Sequence, residues 1–179
     1  FDMDTMPANQ FSKGMFITVG LRNQIKKAHA AGIKIPVART ILITGLNNDE
    51  IWVNMTRVNG VDSTLPESYT YGEIEARKQI KEINKYLKQF VPGFENARMD
   101  KVTPFMGIRE SRVMQGRYIL TAQDILSSRR FNHVVAVASY PVDIHHATDD
   151  DCTMMFTHDD YDIPYECLLP KEYDNLLVA

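Results

Sequence analysis

One long stretch of the chain has helical periodicity. Four large apolar residues recur there at intervals of three and four, which places them on one stripe of a helix: Ile80, Ile83, Leu87 and Phe90. Thr70 and Glu73 have the spacing of a capping box, and Pro92 with Gly93 ends the pattern. The spacing predicts a long amphipathic helix over about 71–90 that packs against a core.

Shorter apolar runs, each bounded by polar or turn-forming residues, predict strands. They cover 40–44, 51–56, 102–108, 134–140, 152–157, 165–169 and 175–179. Shorter helices are predicted at 21–31 and at 122–128, where Thr121 is the expected cap. Because helices and strands do not alternate strictly, the pattern predicts an α+β fold with a mixed or largely antiparallel sheet.

Composition narrows the class of protein. The net charge of −3 argues against a general nucleic-acid binder, which needs a basic surface. No apolar run is long enough to span a membrane, and the first residues do not read as a signal peptide. Cys152 and Cys167 form neither a metal-type nor a redox-type spacing, so we expect buried thiols in a reducing, cytoplasmic compartment.

Arginines follow two of the predicted strands. Arg57 comes after the run 51–56, and Arg109 and Arg112 come after the run 102–108. A guanidinium at the end of an apolar strand either pairs with a surface carboxylate or points into a site that needs positive charge. Guanidinium groups suit a carboxylate, a phosphate or a flavin edge, and two such strand ends favour a site more than one does.

A second candidate group follows the most apolar run. Tyr140, Asp143 and His145 are suited to proton transfer, and Asp143 with His145 and His158 could ligate a metal. That spacing matches no known metal signature, and a solvated surface loop is the competing interpretation. The sequence has no GxGxxG, no P-loop and no GxSxG motif.

Five segments, taken in order, resemble a known family. They are WVNMTRVNGVDST, EIEARKQIKEINKYLKQFVPGFENARM, GIRESRVMQGRYILTAQDILSSRRF, YPVDIHH and YDIPYECLLPKEYDNLLVA. Together they are similar to the bacterial FAD-dependent oxidoreductases. The resemblance covers about 51–179 and implies an FAD domain with a GxGxxG near its start, interrupted by a substrate domain.

The resemblance implies that 1–179 is a single substrate-side domain of a larger two-domain flavoprotein, with 161–179 returning toward the FAD domain. FAD is implied for the whole protein, and we do not expect this chain to bind it or to be active alone. The implied partners are a small-molecule substrate and the FAD domain. The expected catalytic residues are Arg109, His145 and Tyr140, and the expected substrate-binding residues are Arg57, Asn59 and Arg112.

Two other functions stay open at this stage. The first is a non-catalytic anion- or carbohydrate-binding module that uses Arg57, Arg109, Trp52, Tyr140 and Tyr161. The second is a metal hydrolase built on Asp143, His145 and His158. We also expect self-association through the apolar run 175–179.

Overall fold

The fold is α+β, and every strand pairing among the residues that the structure describes is antiparallel. The computed structural model describes residues 17–47, 49–109, 111–145 and 152–178. For His145 and Cys152 it describes the backbone and not the side chain. The chain divides into two compact units, with the boundary between Arg109 and Glu110. Within the described residues, no helix is both long and apolar enough to cross a membrane.

The described residues of the first unit, from 17 onward, form one three-stranded sheet and two helices. Its elements in chain order are β1 (Ile17–Gly20), α1 (Arg22–Ala30), β2 (Thr40–Thr44), β3 (Ile51–Val53) and α2 (Pro66–Phe90). β2 lies between β1 and β3 in the sheet. Gly32, at a φ of +83°, lies just beyond the end of α1, where its lack of a Cβ allows the left-handed turn.

An apolar core lies inside this unit. Its buried residues come from both helices, from the sheet and from the segments that follow them: Leu21, Ile25, Ala28, Ile33, Ile35, Leu42, Met55, Ile83, Tyr86, Leu87 and Val91. The predicted stripe of α2 is confirmed, with Ile83 and Leu87 buried and Ile80 and Phe90 half-buried. The sequence pattern missed Tyr86, which is 0% exposed and shares a 2.5 Å hydrogen bond with the hydroxyl of Thr40.

The start of α2 differs from the prediction. The helix begins at Pro66 with Leu65 as its cap, so Thr70 lies inside it, and the Thr70 hydroxyl donates to the Pro66 carbonyl. Proline is suited to the first helical position because its fixed φ is already helical and its missing N–H leaves no donor unsatisfied. The capping box at Thr70 and Glu73 is therefore wrong.

The second unit contains two separate two-stranded sheets. Its elements are α3 (Ala122–Leu126), β4 (Val134–Ala138), β5 (Val142–His145), β6 (Cys152–Met155), β7 (Tyr161–Pro164) and a 3-10 turn at Tyr165–Cys167. β4 pairs with β7, and β5 pairs with β6. The Thr121 cap of α3 is confirmed, because its hydroxyl accepts a hydrogen bond from the Asp124 N–H.

Several predicted strands are shorter than expected or absent. The run 102–108 is not a strand, the run 165–169 is largely a 3-10 turn, and 175–178 contains no strand. Pro104 has no N–H for a ladder, and other backbone groups in the first run bond to helix side chains instead. β4 pairs with β7, which is distant from it in sequence, and a local pattern does not reveal such a pairing.

Candidate functional site

Helix α2 holds the irregular segment that carries Arg57. β3 ends at Val53, and the Asn54 N–H still donates to the Ile41 carbonyl of β2 at 3.1 Å. Residues 55–60 then leave the sheet instead of continuing as a regular strand. The side-chain amide of Gln79 takes the place of a strand partner. The Arg57 N–H donates to Gln79 Oε1 at 2.8 Å, and Gln79 Nε2 donates to the Arg57 carbonyl at 2.7 Å. This contact fixes the backbone of Arg57 against the middle of α2.

The same helix holds a second segment, residues 102–109, which ends at Arg109. The Met106 N–H donates to the Glu73 carboxylate, and Arg77 Nη2 donates to the Pro104 carbonyl at 3.4 Å. Glu73 and Arg77 also pair with each other at 3.5 Å. The polar side chains of α2 therefore hold backbone groups of the run 102–108, which the apolar pattern predicts to be a strand.

Side chains in or next to both segments contact α2 at the same helical turn, which contains Gly72. Gly72 is buried in the helix, and a Cβ placed on it would lie 2.8 Å from Met106 Cε and 3.0 Å from Val61 Cγ2. Glycine at this position lets both side chains pack against the helix backbone. Met106 belongs to the second segment, and Val61 directly follows the first. We refer to α2 with residues 54–61 and 102–109 as the α2 platform.

Three of the predicted site residues belong to the α2 platform. Arg57 is half-buried, whereas Asn59 and Arg109 are exposed. None of these arginine and asparagine residues lies at the end of a buried strand. The residues of β3 are all exposed, and 102–109 contains no strand. The argument from strand ends is therefore wrong in its geometry. The structure does place the Arg57 and Arg109 segments on one helix.

The other predicted site residues belong to the second unit. Arg112 is exposed. Tyr140 is 64% exposed, and its carbonyl accepts a hydrogen bond from the buried Tyr161 hydroxyl at 3.2 Å. His145 ends β5, opposite Cys152, and its side chain lies outside the described residues. The predicted strand 134–140 ends at Ala138, so Tyr140 lies in the connection between β4 and β5, and His145 lies at the end of β5.

Sequence reasoning missed a buried carboxylate in the second unit. Asp124 is 5% exposed and accepts hydrogen bonds from Tyr118 Oη at 2.8 Å, Thr121 Oγ1 at 2.7 Å and Arg129 Nη1 at 2.8 Å. The Arg129 guanidinium also lies over the ring of Phe131, 4.7 Å from its centroid. The signal available in the sequence was the spacing of Thr121 and Asp124, because a carboxylate three residues after a cap residue commonly bonds back to it.

The hydrogen bonds around Asp124 determine its protonation. Burial alone would raise the pKa of this carboxyl, but the hydrogen bonds from Arg129, Thr121 and Tyr118 outweigh that effect. The pKa of Asp124 is therefore held well below its usual range. A carboxylate this stable in its ionised form is a poor proton acceptor near neutral pH, so the arrangement suits structure better than general base catalysis.

A second carboxylate cluster lies around Arg130. Its guanidinium donates to Asp160 at 2.7 Å and to Asp162 at 2.8 Å, and Asp162 also accepts the Phe131 N–H at 3.0 Å. The Phe131 N–H and then Arg130 lower the pKa of Asp162, and Arg130 lowers that of Asp160. Both carboxylates are thus used to join residues 130–131 to the start of β7.

The described residues contain no group of three His, Cys, Asp or Glu side chains that could hold a metal ion. They also contain no cradle for the pyrophosphate of a dinucleotide. Among the described residues of the first unit, β1 is the only strand that leads directly into a helix, and the strand after that helix pairs antiparallel to β1. A dinucleotide cradle needs a parallel βαβ unit and several glycines, so the described fold does not fit FAD phosphates.

Comparison with models of protein families gives a match over residues 3–179 to the family described as FAD dependent oxidoreductase. No curated protein and no solved structure matches the chain.

Proposed function

Because the chain belongs to the FAD-dependent oxidoreductase family, we propose that it supplies the substrate side of such an enzyme, within a larger polypeptide whose separate domain holds the FAD. The reaction class is hydride transfer between a carbon of a small substrate and the flavin, with the redox chemistry supplied by the cofactor. The family match across residues 3–179 is the observation that carries this proposal. The antiparallel path of β1, α1 and β2, which offers no dinucleotide cradle, supports the division of labour.

The α2 platform is the part of the first unit best suited to hold a substrate. It anchors two irregular segments through side chains of one helix, and each segment carries an arginine whose side chain is exposed or half-buried. Sites held on a rigid element keep their geometry better than sites on unsupported loops. We assign Arg57, Asn59 and Arg109 to this surface as substrate-facing residues. Arg112, Tyr140 and His145, which belong to the second unit, are separate candidates.

Absorption spectroscopy tests the proposal. We expect the purified 179-residue chain to be colourless after incubation with FAD and gel filtration. The whole polypeptide encoded by the gene should retain one flavin per chain and show its visible absorption band. Stoichiometric flavin on the 179-residue chain would overturn the division of labour, and a whole polypeptide without flavin would overturn the oxidoreductase proposal.

One observation favours a second candidate, a carbohydrate-binding module. Trp52 is 57% exposed on the apolar outer face of the β1–β2–β3 sheet, where its register partner is Ile43. Exposed aromatic rings are suited to stacking against sugars. A panel of oligosaccharides that quenches Trp52 fluorescence, together with a flavin-free whole polypeptide, would favour this alternative. Trp52 is the single tryptophan of the chain, so the signal has one source.

A further inference from the structure

The solvent side of α2 carries a stripe of lysines. Four of them recur at intervals of three, four and three residues, which places them on one face of the helix: Lys78, Lys81, Lys85 and Lys88. All four are exposed. Two of them pair with a glutamate three residues earlier, at 2.5 Å and 2.6 Å, whereas Lys81 and Lys88 form no salt bridge within the described residues. The stripe is therefore a row of cations that its own helix neutralises only in part.

An apolar surface adjoins one end of this stripe. Ile74 is exposed and lies on the same helix face, one turn before Lys78. Ile74 directly follows Glu73, whose carboxylate accepts the Met106 N–H, and Phe105 directly precedes Met106. Ile74 and Phe105 thus lie on either side of the same hydrogen bond, and Phe105 is 72% exposed.

The segment that contains Phe105 is apolar along its length. Large exposed apolar side chains occur at every third position: Met99, Val102, Phe105 and Ile108. Soluble proteins rarely expose such residues close together unless the surface binds a partner. Exposed cations, Arg98 and Lys101, belong to the same stretch of chain, and Asp100 lies within 4 Å of both.

The chemistry of this surface selects among partners. Residues 1–109 carry more Lys and Arg than Asp and Glu, so an anionic partner is favoured. Single-stranded nucleic acids combine a basic groove with aromatic rings on which bases stack, whereas three of the four exposed apolar residues in this segment are aliphatic. Aliphatic side chains next to lysines match the boundary between headgroups and acyl chains of an anionic lipid layer.

We propose that this surface docks on an anionic phospholipid layer. We call it the basic face, and it comprises the four lysines of the stripe, Ile74 and residues 98–108. The lysine ammonium groups reach the anionic headgroups, while Ile74 and Phe105 enter the layer just below them. The contact is peripheral and reversible, and it uses no flavin, so it goes beyond the proposed function and does not depend on it.

Vesicle co-sedimentation tests the lysine stripe. The probes are phosphatidylcholine vesicles with and without about one third phosphatidylglycerol. We expect the 179-residue chain and the whole polypeptide to bind only the anionic vesicles. Replacing Lys81 and Lys88 together by Gln should weaken binding by about 20- to 30-fold, because each lysine near such a surface contributes a factor of about five. Replacing Lys26 and Lys27 by Gln is the matched control, since it removes the same charge from exposed positions of α1 and should change binding by less than about twofold.

Fluorescence quenching by bromine-labelled lipids tests which surface enters the layer. Trp52 is the single tryptophan and lies on the outer face of the sheet, so we expect no quenching in the wild-type chain. A chain with Trp52→Phe and Phe105→Trp should be quenched strongly. Quenching of Trp52 instead would assign the contact to the sheet and overturn the proposal.

Other outcomes would also overturn it. Equal binding to neutral vesicles, or equal effects of the two lysine pairs, would show that the stripe does not recognise anionic lipid. Binding by the 179-residue chain that is absent from the whole polypeptide would show that another part of the protein covers the basic face. A duplex oligonucleotide that binds through Lys81 and Lys88, with no binding to vesicles, would assign the face to nucleic acid. None of these results depends on flavin content, which separately tests the proposed function.

Discussion

The two compact units of this chain are stabilised by different kinds of buried group. In residues 17–109 the buried cluster is apolar and runs from Leu21 to Val91. In residues 111–178 the buried side chains include two carboxylates, Asp124 and Asp162, each bonded to an arginine and to a backbone N–H. Apolar burial is insensitive to pH, whereas a buried carboxylate stabilises a fold only while it is ionised and fully hydrogen-bonded.

Charge divides along the same boundary. Residues 1–109 carry more Lys and Arg than Asp and Glu, and residues 110–179 carry the reverse. The net charge of −3 is therefore an average over two regions of opposite sign. A whole-chain charge is a sound argument about partners only when the charge is evenly spread, so each unit needs its own estimate.

The largest effect should come from the apolar core of the first unit. Truncating Leu87, which is buried in the cluster, to alanine should lower the free energy of unfolding by about 2–5 kcal/mol. Denaturant unfolding followed by Trp52 fluorescence measures it, because Trp52 lies in the same unit. Leu46→Ala removes the same atoms from a side chain of the same unit that is 92% exposed, and it should change little. Equal effects of the two truncations would contradict the assignment of the core.

The sequence predicted the parts of the fold that depend on local pattern. The stripe of α2, the strand β2 and the Thr121 cap of α3 each follow from residues within one or two turns of each other. Tyr86 was missed because its burial depends on Thr40, 46 residues away. β7 was missed because YDIP contains a carboxylate, Asp162, that tolerates burial through bonds from the Phe131 N–H and from Arg130, which lie 31 and 32 residues away in the chain.

The candidate site divides in the same way. The sequence identified Arg57 and Arg109 as residues that need an explanation, and the family resemblance pointed to the segments that carry them. The sequence pattern placed both arginines at strand ends, because a short apolar run such as 102–108 predicts a strand when only its neighbours are considered. Three side chains of α2 bond to the backbone of these segments, namely those of Glu73, Arg77 and Gln79. All three are charged or polar residues of an ordinary helix pattern. No local signal distinguishes such residues from solvated ones.

A smaller effect is expected from the buried carboxylate of the second unit. Asp124→Asn keeps the shape of the side chain but replaces one acceptor oxygen with a donor that faces other donors. We expect a loss of about 1–3 kcal/mol, the range for leaving buried hydrogen-bonding groups unsatisfied. Amide exchange at residues 121–131 measures the local loss. Asp174→Asn, at an exposed carboxylate that pairs with Arg117, is the matched control and should leave these amides unchanged.

The smallest and most gradual effect is the response to acid. Most of the carboxyl groups with a clearly lowered pKa lie in the second unit, namely Asp124, Asp160, Asp162 and Glu166, whereas Glu82, lowered by its bond to Lys85, lies in the first. A lowered native pKa contributes stability above the unfolded-state pKa, about 4 for Asp and Glu, and that stability is lost as the pH falls through the native pKa.

Acidification from pH 6 to pH 3 should therefore reduce amide protection at residues 121–131 and 160–165 before it reduces protection in the core of the first unit. Asp124→Asn removes one of the titrating groups, so the protection of its neighbours should depend less on pH than in the wild-type chain. The Leu87→Ala variant is the counterpart: it should lower protection in the first unit by a similar amount at every pH in this range. Parallel loss of protection in both units, or an unchanged pH dependence in Asp124→Asn, would show that buried carboxylates do not set the acid stability of the second unit.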